Sequence, residues 1–267
     1  MTRLTAQWIA RMEETAADWS HELKRRVGLD YLDLAALAGG KTRGELKRAS
    51  EEYRVAVVPI TSGEGIIDAF SQSVAAIVRA MGFSALVTEG TDVNGIHEAC
   101  GKGADILYMA DDHKYIALNL RSGRLGDNDR ATACGFVEIL GAMAKGLEDR
   151  EVAVLGYGII GRLMAEQLHG KGARVAVYDR LPEKKEAAEG DDCGWIETAE
   201  GLRQYAYIAD ATSQGGWIHP GMLREDVLIA TPGIPLSLDS QAAKELQGRY
   251  VHDLLEIGTA CMLGMAL

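Results

Sequence analysis

Three glycines near the middle of the chain have the spacing G-x-G-x-x-G, and each can serve phosphate binding in a different way. Gly156, Gly158 and Gly161 follow the apolar run 151–155 and precede a helix-like stretch. The first allows a tight turn, the second lets the backbone approach a pyrophosphate, and the third lets helix and strand pack closely. The helix then offers its first N–H groups, from Ile159 and Ile160, to that anion. The spacing predicts a dinucleotide site; a tight turn with no ligand is the alternative.

A carboxylate closes the second apolar run of the same segment, 174–178. Asp179 lies 23 residues after Gly156, where an acid can accept hydrogen bonds from an adenosine ribose. Because this charge would repel a 2′-phosphate, it favours NAD over NADP as the cofactor. The neighbouring Arg180 can pair with such a phosphate and leaves NADP as the alternative.

The elements that position this motif alternate between apolar strands and helices. Strands are predicted at 54–60, 84–89 and 105–110, with helices at 65–81 and 93–101 between them. After a helix at 131–145, a second sheet is predicted from 152–155, 174–178, 205–211, 227–230 and 250–254, with a final helix at 258–267. Such alternation indicates largely parallel sheets. Before it, an apolar stripe at helical spacing predicts one amphipathic helix over 2–28, formed by Trp8, Met12, Ala16, Trp19, Leu23 and Val27.

This pattern predicts an α/β protein of three parts. An N-terminal helical unit covers 1–52, with a second short helix at 30–38 and a polar connector at 41–52. A central α/β substrate domain covers 53–128, and the Gly-, Asp- and Asn-rich segment 122–129 marks its end. A Rossmann-type, doubly wound parallel-sheet domain covers 129–267 and includes the C-terminal helix. Ligands of open α/β sheets bind beyond the carboxyl ends of strands, and we expect the site in a cleft between the domains.

Two strand ends of the first sheet carry polar side chains suited to a substrate. The segment 61–65 is expected to open a helix whose N–H groups hold an anion, or to provide Ser62 as its N-cap. Asp111 and Asp112 follow the strand that ends at Ala110. Either carboxylate can bind an ammonium group or accept its proton, whereas an ordinary turn would leave both solvated.

Strand ends of the second sheet supply the remaining candidates. We expect Thr212 and the segment Thr231, Pro232 and Gly233 near the nicotinamide ribose and ring. An ordinary turn after each strand would also explain these residue types. Asp253 and Glu256 follow the last strand. Because the histidines form no cluster, we expect a carboxylate to be the proton acceptor, with His113 as the alternative.

Composition excludes several classes of function. The 267 residues carry a net charge of −11, which argues against a nucleic-acid partner. No apolar run approaches the ~18 residues of a membrane span, and the first residues lack the apolar centre of a signal peptide. The four cysteines show no C-x-x-C pair, so neither a metal site nor a disulfide framework is expected. This cysteine usage is typical of the reducing cytoplasm.

Several segments together resemble the pyrrolysine biosynthesis dehydrogenase (PylD) family. They are Val-Val-Pro-Ile-Thr-Ser-Gly-Glu-Gly-Ile-Ile (57–67), Met-Ala-Asp-Asp (109–112), Ala-Thr-Pro-Gly-Ile-Pro (230–235) and Ile-Gly-Thr-Ala (257–260). The resemblance extends from Leu4 to Leu267. It implies a three-part enzyme that uses NAD to oxidise the terminal amine of L-lysine-Nε-3R-methyl-D-ornithine to an imine. Hydrolysis with loss of ammonia would give a semialdehyde, which closes the pyrroline ring of pyrrolysine.

The resemblance also implies roles for individual residues. Asp111, after Met109 and Ala110, corresponds to the substrate-binding aspartate of the family, and Ser62 to the serine of its Thr-Ser-Gly turn. Leu4 corresponds to a leucine that closes the pocket. The family has Glu-Pro-Leu-Gly where this chain has Asp253-Leu-Leu-Glu256. Either Asp253 or Glu256 therefore takes the place of that glutamate at the substrate.

Two other functions are compatible with a dinucleotide site. The first is a different NAD-dependent dehydrogenase, acting on an amino acid or a folate-linked one-carbon unit, but its expected lysine on the first sheet is missing because Lys114 lies past the strand end. The second is a non-catalytic NAD sensor. The expected partner is a small-molecule substrate, and a homodimer is one alternative for the oligomeric state.

Overall fold

A computed structural model describes residues 4–267, and the strands in this range form two separate sheets. The described chain divides into two units by packing. The first contains the residues up to Gly135 together with Leu254–Leu267, and the second contains Phe136–Asp253. The predicted α/β class is confirmed, with a helical N-terminal region and a Rossmann-type sheet. The three functional domains predicted at 1–52, 53–128 and 129–267 stay a prediction.

Four helices precede the first strand: α1 (Ala6–Ile9), α2 (Met12–Val27), α3 (Tyr31–Ala38) and α4 (Arg43–Glu52). The expected single helix over 2–28 is interrupted between α1 and α2. Met12, Ala16 and Leu23 of the predicted stripe are buried, whereas Trp8 lies before the interruption and is 42% exposed. The stripe thus packs inward mainly along α2, which contacts the later helix at residues 70–80.

The predicted connector at 41–52 is wrong, because most of it is α4. Thr42 and Glu45 form a capping box, in which the Glu45 N–H donates to the Thr42 hydroxyl and the Thr42 N–H donates to the Glu45 carboxylate at 2.7 Å. Such reciprocal bonds satisfy helix-terminal N–H groups. Leu46 is the buried residue of α4. Because the other positions of this helix are not buried, its sequence lacks the apolar periodicity that would have predicted a helix.

The first sheet has the order β2-β1-β3-β4-β5. Its elements are β1 (Arg54–Val58), α5 (Phe70–Ala80), β2 (Ser84–Val87), α6 (Asp92–Gly101), β3 (Ile106–Ala110), β4 (Tyr115–Asn119) and β5 (Leu125–Asp127). β1 pairs in parallel with β2 and β3, while β4 runs antiparallel to both β3 and β5. The buried side chains of Ala56, Val58 and Leu107 form part of its core.

Two features of this sheet differ from the sequence expectation. The strands β4 and β5 were not predicted, and the expected boundary at 122–129 contains β5 and the start of α7 (Asn128–Ala144). The helix predicted at 65–81 begins at Phe70 instead. Gly63, Gly65 and Ala69 have φ of +77°, +83° and +67°, and left-handed residues cannot belong to a right-handed helix.

The C-terminal helix α11 (Glu256–Ala266) packs within the first unit. It packs on α3 at a point of close backbone approach. A Cβ placed on Gly264 would lie 1.8 Å from the Ala35 carbonyl oxygen, so glycine is required for this contact. Nearly every residue of α11 is buried, which makes it a core helix of that unit.

The second sheet is entirely parallel, with the order β11-β10-β9-β6-β7-β8. Its strands are β6 (Glu151–Leu155), β7 (Arg174–Tyr178), β8 (Gly194–Trp195), β9 (Tyr207–Asp210), β10 (Leu228–Thr231) and β11 (Tyr250–His252). The α-helices between them are α8 (Ile159–Gly170), α9 (Lys185–Gly190) and α10 (Ser240–Glu245). Leu155, Ile208 and Ile229 are fully buried in its core. This order is that of a doubly wound dinucleotide-binding sheet.

No helix within residues 4–267 has both the length and the apolar character needed to cross a membrane. The four cysteines are free thiols, of which Cys134, Cys193 and Cys261 are buried and Cys100 is exposed.

Candidate functional site

The glycine motif forms the turn between β6 and α8, and the structure gives each glycine a different environment. Gly156 has a φ of +79°, and a Cβ there would lie 3.1 Å from the Ala211 carbonyl oxygen. A Cβ on Gly161 would lie 1.8 Å from the carbonyl oxygen of Gly156, whereas one on Gly158 would meet no atom within 4 Å. Gly156 and Gly161 therefore allow close packing. Gly158 leaves open space where a pyrophosphate can approach the backbone.

The first turn of α8 begins directly after Gly158, next to that open space. Gly158 precedes the helix with extended backbone, and the first intrahelical bond runs from the Arg162 N–H to the Gly158 carbonyl. The N–H groups of Ile159 and Ile160 therefore precede the intrahelical ladder, as at any helix start. Together with the positive end of the helix dipole they suit an anion. The residues present fit the pyrophosphate of a dinucleotide.

The residue between the first two glycines braces this turn, a role that the sequence analysis missed. Tyr157 is 1% exposed, and its hydroxyl donates to Asp191 Oδ2 at 2.8 Å. Asp191 in turn accepts from Arg162 Nε of α8 at 3.0 Å. Burial raises the pKa of the Tyr157 hydroxyl well above its usual value, so it remains a donor. The tyrosine between the first two glycines of the motif is the sequence feature from which this role could have been predicted.

Asp179 lies beside the same turn, directly after β7. Its Oδ2 accepts the Tyr157 N–H at 2.6 Å and its Oδ1 accepts the Leu181 N–H at 2.9 Å. Since a carboxylate offers about four lone pairs, these bonds fix its position and leave acceptor capacity for ribose hydroxyls. Arg180 is exposed, and its Nη1 donates to Gln214 Oε1 at 3.4 Å.

The strand order reverses between β6 and β9, which is where open α/β sheets bind ligands. Gly156 follows β6 and Ala211 follows β9. The Ala211 N–H donates to the Leu155 carbonyl at 2.8 Å, which keeps the two strand ends together. The glycine turn therefore lies at the topological switch point of the sheet.

The predicted loops after β9 and β10 are joined by Asp210, a residue that the sequence analysis did not single out. This carboxylate accepts hydrogen bonds from the hydroxyls of Thr212 and Thr231 at 2.7 and 2.9 Å. Pro232 and Gly233 follow Thr231, and a Cβ on Gly233 would lie 2.3 Å from the Thr212 carbonyl oxygen. The two loops thus approach each other closely beside the switch point. An acid at the end of an otherwise apolar strand was the signal that could have identified Asp210.

In the first unit, the turn after β3 is joined to the segment that contains Ser62. Asp112 Oδ2 accepts the Glu64 N–H at 2.7 Å, and a Cβ on Gly63 would lie 2.0 Å from the same oxygen. Asp92 holds the other end of this segment, accepting the Thr61 N–H at 2.9 Å and the Thr61 hydroxyl at 2.6 Å. Ser62 is therefore an exposed residue of a fixed loop. It is neither an N-cap nor part of a helix start, which corrects the expectation for 61–65.

Asp111 closes the β3–β4 hairpin next to this loop. Its Oδ1 accepts the N–H groups of His113 and Lys114 at 2.8 and 2.7 Å. The hydrogen bond from Lys114, followed by the one from His113, lowers the pKa of the Asp111 carboxyl. The group is therefore an anion at neutral pH. It has the charge required to bind an ammonium group, and the hairpin holds it in place.

Lys114 in the same hairpin is held by two other carboxylates. Its Nζ lies 3.0 Å from Asp127 Oδ2 and 3.4 Å from Asp129 Oδ2. The hydrogen bond to Asp127 raises the pKa of Lys114, so this amine remains a cation and is a poor proton acceptor.

The start of α11 is tied to the same end of the first sheet. The hydroxyls of Tyr115 and Thr259 lie 2.8 Å apart, and the Tyr108 hydroxyl donates to the Thr259 carbonyl at 2.9 Å. Tyr115 pairs with Ala110 across the hairpin, so α11 is fixed next to the turn that carries Asp111. Burial raises the pKa of both tyrosines well above the usual value. Both hydroxyls therefore remain neutral.

The other predicted substrate residues are distributed over both units. Glu256 is the first residue of α11, is buried, and accepts the Leu255 N–H at 3.2 Å. Asp253 is a buried residue that follows β11 in the second unit. Leu4 is partly exposed and precedes α1. Asp111 and the Ser62 loop are brought together within the first unit, and the roles of Leu4, Asp253 and Glu256 stay predictions.

Comparison with known proteins agrees with both units. Residues 9–126 match the model of the N-terminal domain of pyrrolysine biosynthesis protein PylD, and residues 122–213 match the NAD binding domain of D-isomer specific 2-hydroxyacid dehydrogenases. Pyrrolysine synthase from Methanosarcina barkeri is 35% identical over 215 residues, 80% of this chain and 81% of the relative. The chain belongs to the pyrrolysine synthase family. The Methanosarcina acetivorans member of that family is 36% identical over 214 residues, 79% of this chain and 81% of the relative.

Solved structures show the same fold at low sequence identity. A 5,10-methylenetetrahydrofolate dehydrogenase from the silkworm Bombyx mori has a TM-score of 0.56 at 15% identity, covering 95% of this chain and 93% of its own. A quinate dehydrogenase from Corynebacterium glutamicum in complex with NAD has a TM-score of 0.52 at 15% identity, covering 80% of this chain and 94% of its own. Family and fold together make this pyrrolysine synthase family member a dehydrogenase that uses a nicotinamide dinucleotide.

Proposed function

We propose that this protein is the NAD-dependent dehydrogenase that completes pyrrolysine. It oxidises the terminal primary amine of L-lysine-Nε-3R-methyl-D-ornithine to an imine. Water then adds to the imine and ammonia leaves, which gives a semialdehyde. The ornithine α-amine attacks this aldehyde with loss of water to form the pyrroline ring. The relationship to two pyrrolysine synthases, each covered over about four-fifths of its length, carries this proposal.

NAD is the proposed cofactor, and it supplies the acceptor for the hydride when bound. Gly158, Ile159 and Ile160 hold the pyrophosphate through their backbone. The loops of Thr212 and of Thr231, Pro232 and Gly233 flank the nicotinamide ribose and ring. These assignments are supported by the open space at Gly158 and by the close approach of the two loops beside the switch point.

Asp179 is proposed to select NAD by accepting hydrogen bonds from the adenosine ribose. Its carboxylate is held by two backbone N–H groups, so its charge is fixed where a 2′-phosphate would have to lie. Repulsion by this charge opposes NADP. The guanidinium of Arg180 is held near Gln214, and competition between these two side chains decides the cofactor.

Asp111 is the proposed catalytic carboxylate of the substrate site. The substrate amine must lose a proton before hydride can leave its carbon. An anionic carboxylate binds the ammonium form and accepts that proton. Ser62, on the loop joined to the same hairpin, orients the substrate by hydrogen bonding. Asp253 or Glu256 provides a second carboxylate toward the substrate, and Leu4 closes the pocket.

The reaction is tested by mixing the full chain with NAD and the synthetic lysine–methylornithine isopeptide, with product identified by mass. We expect reduced cofactor to appear together with one ammonia per pyrrolysine formed. Lysine, ornithine and a folate one-carbon donor serve as competing substrates. Reduction with one of those instead would identify a different dehydrogenase. Binding of NAD without turnover of any of them would indicate a sensor.

A further inference from the structure

A fully buried carboxylate lies at the end of β9, and within residues 4–267 it forms no ion pair. Asp210 has no exposed surface. Its Oδ1 accepts the N–H and the hydroxyl of Thr212 at 3.0 and 2.7 Å, and its Oδ2 accepts the hydroxyls of Thr231 at 2.9 Å and of Ser237. An ionised carboxylate has about four lone-pair sites. These donors therefore satisfy the anion without a neighbouring cation.

The hydroxyls that donate to Asp210 also accept hydrogen bonds from the two loops. Trp217 Nε1 donates to Thr212 Oγ1 at 3.3 Å, and the Gly233 N–H donates to Thr231 Oγ1 at 3.3 Å. Asp210 is thus the centre of a polar network that links the end of β9, the end of β10 and both following loops. Because the hydroxyls of Thr212, Thr231 and Ser237 all donate to Asp210, the network fixes the position of its carboxylate.

This charge lies beside the switch point of the sheet. Asp210 pairs with Leu155, and the glycine turn begins at the next residue, Gly156. The loops that start at Ala211 and Pro232 are those proposed to flank the nicotinamide. A buried charge that lacks a counter-ion acts over a longer range than an exposed one, because little solvent screens it.

We propose that Asp210 determines the preference of this site for the oxidised over the reduced dinucleotide. The nicotinamide ring carries a positive charge when oxidised and none when reduced. The fixed negative charge of Asp210 therefore attracts the oxidised form selectively. This favours the form that amine oxidation consumes and weakens retention of the form that it produces. The inference rests on the proposed function, since it assumes that the loops after β9 and β10 flank the ring.

The test measures the dissociation constants of NAD⁺ and NADH by titration of the full chain in the absence of substrate. We expect the wild-type protein to bind NAD⁺ at least as tightly as NADH. Asp210→Asn keeps the shape of the side chain and removes its charge. It should shift the ratio of the two dissociation constants roughly tenfold toward NADH, as expected for one charge several ångströms from the ring.

Matched variants separate charge from structure. Ser237→Ala removes one donor of the network and keeps the charge, so any loss of affinity should be equal for NAD⁺ and NADH and leave their ratio unchanged. Asp226→Asn removes an exposed carboxylate of the same unit, which pairs with Arg224, and also leaves the ratio unchanged. ADP-ribose, which lacks the ring, should bind wild-type and Asp210→Asn proteins alike.

Three results would overturn the inference: an unchanged ratio in Asp210→Asn, an equal shift in Ser237→Ala, or a wild-type protein that binds NADH more than about tenfold more tightly than NAD⁺. The last is measured on wild-type protein, so the inference can be overturned even if Asp210→Asn does not fold. Failure of both dinucleotides to bind would contradict the proposed function as well. If NAD⁺ binding and turnover were normal but the ratio of the NAD⁺ and NADH dissociation constants did not change in Asp210→Asn, only the charge effect would be contradicted.

Discussion

The backbone N–H of Tyr157 donates to the carboxylate of Asp179 at 2.6 Å. This bond joins the glycine turn after β6 to the end of β7. The acid proposed to select the cofactor is therefore positioned by the same turn that is proposed to hold the pyrophosphate. Asp179 thus has a structural role in addition to its proposed contact with ribose, and experiments have to separate the two.

The cofactor prediction concerns Asp179→Ala. We expect NAD binding to weaken by about 1.5–3 kcal/mol, the range for hydrogen bonds to a charged group. NADP binding should weaken less or improve, because the repulsion of the 2′-phosphate is removed. Titration with both dinucleotides measures the difference. An equal loss for both would mean that Asp179 acts only by holding the turn.

The glycine prediction compares three substitutions in one helix region. Gly158→Ala should leave the melting temperature unchanged, because a Cβ there meets no protein atom within 4 Å, but should weaken NAD binding at least roughly tenfold by obstructing the pyrophosphate. Gly161→Ala should destabilise the fold by about 1–3 kcal/mol through its clash with Gly156. Gly170→Ala, also in open space, is the control for both. Normal NAD binding by Gly158→Ala would place the pyrophosphate elsewhere.

The active-site prediction concerns Asp111→Asn. The amide keeps an oxygen that accepts from His113 and Lys114, so the hairpin and NAD affinity should be preserved. Loss of the charge should lower kcat/KM by about 10²–10⁴, the usual contribution of a general acid–base group. His113→Ala changes an exposed residue of the same turn and should have little effect. If Asp111→Asn turned over the isopeptide normally, Asp111 would be only a turn residue and Asp112 the next candidate.

The lid prediction concerns the start of the chain, where residues 1–3 lie outside the described range. Ile9, at the end of α1, is buried, and the Ser73 hydroxyl of α5 donates to its carbonyl at 3.5 Å. The helix is thus anchored at its end, while Leu4 precedes it. Deleting residues 1–6 should reduce turnover by removing a cover that excludes water, with NAD affinity and melting temperature nearly unchanged. Leu4→Ser should reproduce part of the loss. Full activity of the truncated protein would identify a frayed terminus.

The pH prediction concerns Asp33 at the start of α3. Burial acts to raise its pKa, but the Asp30 N–H and the cations of Lys24 and Arg43 outweigh burial and lower the pKa to about 2. Because the folded-state pKa is below the unfolded one, the stabilisation is present above about pH 4 and is lost as the pH falls toward 2. Asp33→Asn should therefore cost about 1–2 kcal/mol at neutral pH after allowance for solvent screening.

Urea unfolding at several pH values measures this effect. The difference between wild-type and Asp33→Asn proteins should shrink between about pH 4 and 2. Asp226→Asn, which breaks an exposed pair with Arg224, should change stability by less than about 0.5 kcal/mol. A pH-independent difference for Asp33→Asn would show that packing rather than charge is responsible.

The sequence by itself determined the Rossmann half of this protein. The glycine spacing, the two apolar runs and Asp179 each have a local physical cause, namely a tight turn, strand burial and the distance between adjacent strand ends. Such features follow from neighbours in the chain. The resemblance likewise identified the family from short segments, each of which is visible without a fold.

Tertiary structure alone decided the features that depend on distant residues. The helix expected at residue 65 begins at Phe70, because the loop before it is held by Asp92 and Asp112. These two carboxylates lie 31 and 48 positions along the chain from the loop residues that they bind. The C-terminal helix packs on α3 because Gly264 permits contact with Ala35, far away in the sequence. Asp210 is linked to Thr231 and Ser237 only after β9 and β10 pair. No local pattern encodes these contacts, since each depends on which strands and helices become neighbours when the chain folds.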